Sequence, residues 1–163
     1  MNFEQQEELN YFFVETFNRI LQYEEAALSA GDTIGLSMKE LHILEAVAQM
    51  QLLQQNTMSK IAAKLGISTG ALTTAIGVLV TKGCLERQSS EQDRRLVWII
   101  LTPKGERAEL QHRLFHKEMV QMIGNSLTEE SLNSLLASLK TLSRFFEQKK
   151  EGGIQHERSD INR

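Results

Sequence analysis

A single cysteine, Cys84, excludes an intrachain disulfide, and no apolar run approaches the length that spans a bilayer. The N-terminus carries no charged-then-apolar signal pattern, so the expectation is a cytoplasmic protein without a membrane partner. Excess positive charge is missing too: the formal net charge of −3 argues against a generally sticky nucleic-acid binder. No phosphate-cradling glycine loop, nucleophile elbow or second acid–base set is present, so no catalytic residue is expected and the chain reads as a non-enzyme. Repeats and a second domain are also lacking, and 163 residues suit one domain of modest core.

What the chain does have is a helix-turn-helix pattern. Met58–Leu65, Gly66 and Ile67–Lys82 supply two apolar-periodic segments around a residue that tolerates positive φ, with the small Ala62 where the second helix crosses the first. Ser68 caps the second helix, and Leu72, Ala75, Ile76 and Leu79 face inward at three- and four-residue spacing. Outward remain Thr69, Gly70, Thr73, Thr74 and Gly77, small enough for that face to enter a major groove. A surface helix of an ordinary bundle would show small outward residues as well, so the downstream segment decides. Beyond Gly83, Cys84–Gln88 and Leu96–Leu101 read as two strands joined by the polar loop Ser89–Arg95. Paired arginines at a hairpin tip add nothing to a core but grip phosphates or a minor groove. The expected DNA-contacting set is therefore Ser68, Thr69, Gly70, Thr73, Thr74, Lys82, Arg94 and Arg95, with Asp93 pairing an arginine to fix the wing.

Charge is distributed to match. From Thr57 to Arg107 the cations Lys60, Lys64, Lys82, Arg87, Arg94, Arg95, Lys104 and Arg107 face only Glu86, Glu91, Asp93 and Glu106, so this lobe is net positive and the remainder acidic. The flanks read as helices. Glu4–Ser29 carries Leu9, Phe13, Phe17, Ile20 and Ala27 on one stripe, Ser37-Met38-Lys39-Glu40 is a capping box, and Thr102-Pro103 opens a helix to about Asn125. Thr128-Glu129-Glu130 starts a last helix whose Leu132, Leu135, Leu136, Leu139, Leu142 and Phe146 form a stripe too apolar for a monomer surface, which implies a homodimer. The fold class is mainly α: one winged helix-turn-helix domain over 1–150, with a DNA-binding lobe at about 55–101 and a small β-hairpin wing. Dimerisation helices at about 3–30 and 103–150 flank it, and 151–163 reads as a disordered tail.

A second constellation is Glu24, His42, His112 and His116. His112 and His116 stand one helical turn apart on the stripe of Ala108, Phe115, Met119 and Ile123, and Glu24 interrupts the inward register of the first helix. A His-x3-His pair with a carboxylate and a further histidine is a zinc-competent set; the plainer alternative is that the groups hydrogen-bond one another at a partly wet interface. An open coordination position would make a metal enzyme, but no supporting chemistry accompanies it. A winged helix that binds protein instead of DNA would carry an apolar recognition face and a neutral wing, the opposite of this chain.

The residues from Ile61-Ala62-x2-Leu65-Gly66-Ile67-Ser68 through Leu79-x3-Gly83, then Asp93-Arg94-Arg95 into Leu101-Thr102-x2-Gly105, resemble MarR-type winged-helix transcriptional regulators. The resemblance implies an obligate homodimer on a pseudo-palindromic operator in double-stranded DNA, acting as a repressor with an effector pocket. The chain departs from many relatives in having no Arg or Lys in the recognition helix before Lys82, so base readout leans on hydroxyls, methyl contacts and DNA shape. Peroxide-sensing relatives use a cysteine in the N-terminal helix, and none stands there; Cys84 reads as a packed residue. Glu24, His42, His112 and His116 match the ligands of the zinc-responsive branch. Glu24-Glu25, Ser37-x-Lys39-Glu40-x-His42, Ser90–Arg95 and Phe115-His116-Lys117-x-Met119-Val120 look more like the FabT-like branch that represses fatty-acid-synthesis genes, whose corepressor is acyl-acyl carrier protein. The favoured expectation is the lipid-synthesis reading, with no cofactor required and zinc as the alternative effector. Met38, Met50, Phe115, Met119 and Met122 would line an acyl tunnel, though a methionine-rich stripe also serves as core.

Overall fold

The computed structural model describes residues 1–27, 33, 35–89 and 96–160, with backbone alone at Ala27 and from 150 onward. Asp93, Arg94 and Arg95 at the wing tip lie outside the described residues. The chain divides into two compact units, Met1–His116 and Lys117–Arg163, where the sequence suggests one domain over 1–150.

The first unit begins with α1 (Phe3–Tyr11), a π-helical turn (Phe12–Thr16) and α2 (Phe17–Ala27). Asn2 starts α1 with a capping box, accepting from the Gln5 amide at 2.8 Å while its own amide donates to the Gln5 side chain at 3.0 Å. The π turn corrects the expected continuous stripe. An inserted residue rotates the rest of the helix by about 100° when each turn holds 3.6 residues, so Leu9 no longer shares a line with Phe17 and Ile20. Leu9 and Phe17 are exposed, Phe17 to 59%, while Phe13 and Ile20 are half-buried.

A second capping box opens α3 (Met38–Leu52): the Glu40 amide donates to Ser37 Oγ at 3.3 Å and the Ser37 amide to Glu40 Oε2 at 2.7 Å. This helix supplies Leu41, Leu44 and Val47 to a core shared with Ile61, Leu72, Ile76, Leu79 and Ile99, all fully buried. Each such side chain contributes about 2 kcal/mol of transfer free energy. α4 (Met58–Leu65) and α5 (Thr69–Thr81) meet at 107°. Gly66 makes that corner in the left-handed region at φ +66°, and the buried Ala62 lets the helices approach.

Strands β1 (Leu85–Ser89) and β2 (Val97–Leu101) pair antiparallel from Leu85 opposite Leu101 to Ser89 opposite Val97, each starting one residue later than the sequence suggests. Buried Asn56 moors this hairpin to the helix-turn-helix. Its Nδ2 donates to the Ile99 carbonyl at 2.8 Å and its carbonyl accepts from the Ile99 amide at 2.9 Å. Cys84 is fully buried, and burial pushes its thiol pKa up, as suits a packed residue. α6 (Pro103–Asn125) comes next, capped by Thr102, whose hydroxyl accepts from the Gly105 amide at 3.1 Å and donates to the Gly83 carbonyl at 2.6 Å. Gly105 is compulsory there, since a Cβ would collide with the Cys84 carbonyl oxygen.

The second unit holds the end of α6 and α7 (Glu129–Asp160), whose start is capped by Thr128 accepting from the Ser131 amide at 3.2 Å. The backbone is helical through Asp160, and the last three residues of the tail expected over 151–163 lie outside the described residues. Gly152 and Gly153 each cost about 1 kcal/mol in a helix, so they weaken it without ending it. No residue described in this unit is buried. Among the described residues no single helix is long and apolar enough to cross a membrane.

Candidate DNA-reading face and histidine cluster

The outward face of α5 is the complement of its inward one. Burying Leu72, Ile76 and Leu79 leaves Thr69, Gly70, Thr73 and Thr74 exposed, with Gly77 half-buried. Three of the hydroxyls on or beside this face are committed to the backbone in ways that fix what they offer outward. Ser68 Oγ accepts from the Ala71 amide at 3.2 Å, which leaves its hydrogen free to donate. Thr73 Oγ1 donates to the Thr69 carbonyl at 2.7 Å and Thr74 Oγ1 to the Gly70 carbonyl at 3.4 Å, so both present lone pairs. The edge of α5 thus carries a donor at its start and acceptors one turn later, with no long side chain between them. Neither Gly70 nor Gly77 is needed by the protein's own packing, because an added Cβ would meet nothing within 4 Å.

Lys82 differs from the expectation that grouped it with this face. Its ammonium donates to the Gly35 carbonyl at 2.7 Å and to Glu40 Oε1 and Oε2 at 2.7 and 2.8 Å, which occupies all three hydrogens. Burial pushes the Glu40 carboxyl up, but hydrogen bonds from Lys82 and Ser37 outweigh it and hold the group below the usual carboxylate range. Lys104 is also partly engaged, donating to the Lys82 carbonyl at 2.9 Å. Lys60, Lys64 and Arg87 are exposed on the same lobe. Sequence reasoning misses Asn56, because Gln54–Thr57 is too short and too polar to signal a strand; it misses the Lys82 clamp because a lysine looks the same in both roles.

Glu24, His42, His112 and His116 all come together. Their elements place them there: α2 buries Glu24 to 7% exposure, α3 brings His42, and α6 stacks His112 and His116 one turn apart. His112 Nε2 and His116 Nε2 are 3.0 Å apart with rings nearly perpendicular, and His116 Nε2 lies 3.6 Å from Glu24 Oε1. The His42 ring centroid is 5.5 Å from that of His112, and one nitrogen from each of the three imidazoles falls within 4.8 Å of the others. His112 is 4% exposed, and its Nδ1 has no hydrogen-bond partner. Burial first, then the neighbouring His116 and His42, lowers its pKa from 6.5 to about 4, so it is neutral at physiological pH. A neutral imidazole beside a second and third imidazole can accept a cation or a donor group, and His112 is only half satisfied, with Nε2 against His116 and Nδ1 unpartnered.

Met38 and Met50 belong to the core packed around Leu41 and Leu44, and Phe115 lies against Tyr23 with centroids 5.1 Å apart. Met119 and Met122 fall in the second unit. A cleft of about 520 Å³ beside Leu52, Leu101 and Glu109 shares none of them.

Residues 34–96 match a family model described as the MarR family. The crystal structure of Streptococcus pneumoniae FabT in complex with DNA is 32% identical, covers 88% of this chain and 98% of its own, and superposes with a TM-score of 0.79. Among curated proteins, the HTH-type transcriptional regulator YwhA of Bacillus subtilis is 31% identical over 88 residues, 54% of this chain and 63% of YwhA. The HTH-type transcriptional regulator BilQ of Clostridium symbiosum is 33% identical over 86 residues, 52% of this chain and 59% of BilQ. The chain thus spans about three fifths of the length of these curated relatives. They are regulators and not enzymes, the class expected from the residues.

Proposed function

The chain belongs to the MarR family, and from that premise we propose that it is a sequence-specific, homodimeric repressor that binds pseudo-palindromic double-stranded DNA in the cytoplasm. The observation that carries this is the exposed face of α5, where Ser68 offers a hydrogen and Thr73 and Thr74 offer lone pairs across a surface kept open by Gly70. Acceptor hydroxyls in a major groove suit the exocyclic amines of adenine and cytosine, and their methyl groups suit thymine. Arg94 and Arg95 complete the reading from the wing by neutralising phosphate or entering the minor groove. Binding measured across a salt series tests it: the parent should bind a selected duplex with a steep salt slope that the Arg94→Ala, Arg95→Ala double variant flattens. Equal slopes would remove the wing from the mechanism. Thr73→Ala should cost about 1–3 kcal/mol on the selected duplex and little on random DNA.

The effector proposed for the regulator is acyl-acyl carrier protein, on the strength of the resemblance to repressors of fatty-acid synthesis. Acyl carrier protein loaded with a long acyl chain should change duplex affinity, and indifference to it sinks this assignment. The histidine cluster favours a second reading, zinc. Glu24, His42, His112 and His116 would hold it; His112, neutral at physiological pH, fits a ligand that must bind without a proton. The ion would cross-link α2, α3 and α6 through these side chains. Calorimetric titration with zinc should show one site per chain, abolished by His112→Ala and by His116→Ala, and no heat in the parent would rule the metal out.

A further inference from the structure

We propose that Lys82 is a positioning residue that transmits the state of the histidine cluster to the recognition helix. The inference rests on the reading of α5 as the DNA-reading helix and deepens it by naming how that helix is regulated. Lys82 closes α5: its amide donates to the Val78 carbonyl at 2.9 Å, so wherever Lys82 goes the last turn of α5 goes too. Two other helices hold it. From α3 comes Glu40, which takes two of the three ammonium hydrogens, while Gly35 just before that helix takes the third. From α6 comes Lys104, whose ammonium donates to the Lys82 carbonyl, and beside it Thr102 donates to the Gly83 carbonyl and, through its amide, to the Cys84 carbonyl at 3.1 Å.

Those two helices are the ones that carry the histidines. His42 stands two residues after Glu40 on α3; His112 stands eight residues after Lys104 on α6. A ligand or ion that draws His42 toward His112 pulls α3 and α6 toward one another, and Lys82 is bonded to both. The buried Leu72, Ile76 and Leu79 act as the pivot on which the exposed face of α5 then turns. With its ammonium fully engaged on the protein, Lys82 has no hydrogen left for a phosphate, which separates this role from that of an exposed DNA-binding cation.

The test is a double-mutant cycle read as duplex affinity, with a duplex selected from random DNA by the parent. His112→Ala perturbs the cluster directly. In the parent background it should change the dissociation constant by about 5-fold or more, within the usual range of coupling between distant sites. In a Lys82→Met background the same change should produce less than about a 2-fold effect, and Lys82→Arg, which can still reach Glu40 and Gly35, should restore it. Glu40→Gln gives an independent route, since it keeps an acceptor for the Ser37 amide while removing the charge, and it should also uncouple. An undiminished His112→Ala effect in both Lys82→Met and Glu40→Gln overturns the proposal. So does a parent whose duplex affinity ignores His112→Ala, and in that case the retained DNA binding shows that the regulator reading survives. Selection of no duplex at all overturns both.

Discussion

Between Leu36 and Ala108 the chain buries its own apolar side chains, with Leu41, Leu44, Ile61, Leu72, Ile76, Leu79 and Ile99 fully closed off from solvent. From Lys117 onward it leaves them open: Val120 is 62% exposed, Leu136 45%, Leu139 42% and Phe146 56%. α1 behaves like the second group, with no buried residue and Phe3 78% exposed. The contrast separates two kinds of amphipathicity. Helices α3, α4 and α5 find their apolar partners within the first unit and close a core around the hairpin, whereas α1 and the described side chains of α7 bury no residue.

The sharpest way to break that comparison is to charge the open stripe. Leu139→Glu with Phe146→Glu should weaken self-association by about a thousandfold, roughly 4 kcal/mol, because burying unpaired carboxylates in an apolar interface is prohibitive. The first unit should keep its fold. Sedimentation together with far-ultraviolet circular dichroism checks both halves of the statement, and unchanged assembly would show that α7 is not where copies meet. The converse substitution strikes the self-contained side: Gly105→Ala drives a methyl group into the Cys84 carbonyl and should cost about 3 kcal/mol in chemical denaturation while leaving the self-association stripe intact. A silent Gly105→Ala would mean that α6 can withdraw from β1 without loss.

How much of the molecule is legible in the sequence divides along the same line. The lobe is readable because each signal is local: Gly66 at a left-handed corner, Ser68 and the Ser37–Glu40 box at helix starts, and 3.6-residue periodicity in α5. The π turn at Phe12–Thr16 is not, since no residue type marks an inserted residue in a helix and the stripe it breaks looks regular in sequence. The convergence of Glu24, His42, His112 and His116 is visible only as a spacing on separate helices, and the orphaned Nδ1 of His112 is invisible, because satisfaction is a property of neighbours. Lys82 looks like a free cation for the same reason: its partners lie 42 and 47 residues away.

His112 sharpens the comparison from inside the first unit. In metal-free protein its folded-state pKa is about 4 against 6.5 when exposed. Above pH 6.5 neither state is protonated and the group adds no pH dependence. As pH falls from 6.5 toward 4 the unfolded chain takes up the proton and the folded chain does not, so stability declines, levelling below pH 4 after a loss of about 3 kcal/mol. Urea denaturation at several pH values should show that slope in the parent and a flatter one in His112→Gln. Parallel slopes would mean that burial of the imidazole is not what destabilises the protein in acid. The Leu139→Glu, Phe146→Glu variant should retain the slope, since the open stripe contains no part of the cluster.

The smallest effect is also the most discriminating, because it asks whether exposure on α5 serves folding or a partner. Gly70 lies in a helix, where glycine is worse than alanine by about 1 kcal/mol, and a Cβ there touches nothing within 4 Å. If the fold alone set this residue, alanine would be better. Gly70→Ala should therefore raise stability by about 0.5–1 kcal/mol, measured by thermal denaturation, through the lower entropy of the unfolded chain. Against a selected duplex the same methyl group stands where backbone and base edges must come close, and affinity should fall about tenfold, equivalent to about 1.4 kcal/mol. The two changes have opposite signs, which no general loosening or tightening of the protein produces. A more stable variant with undiminished duplex affinity would show that α5 does not seat its Gly70 edge in the groove, and would move the reading face toward Thr73 and Thr74 alone.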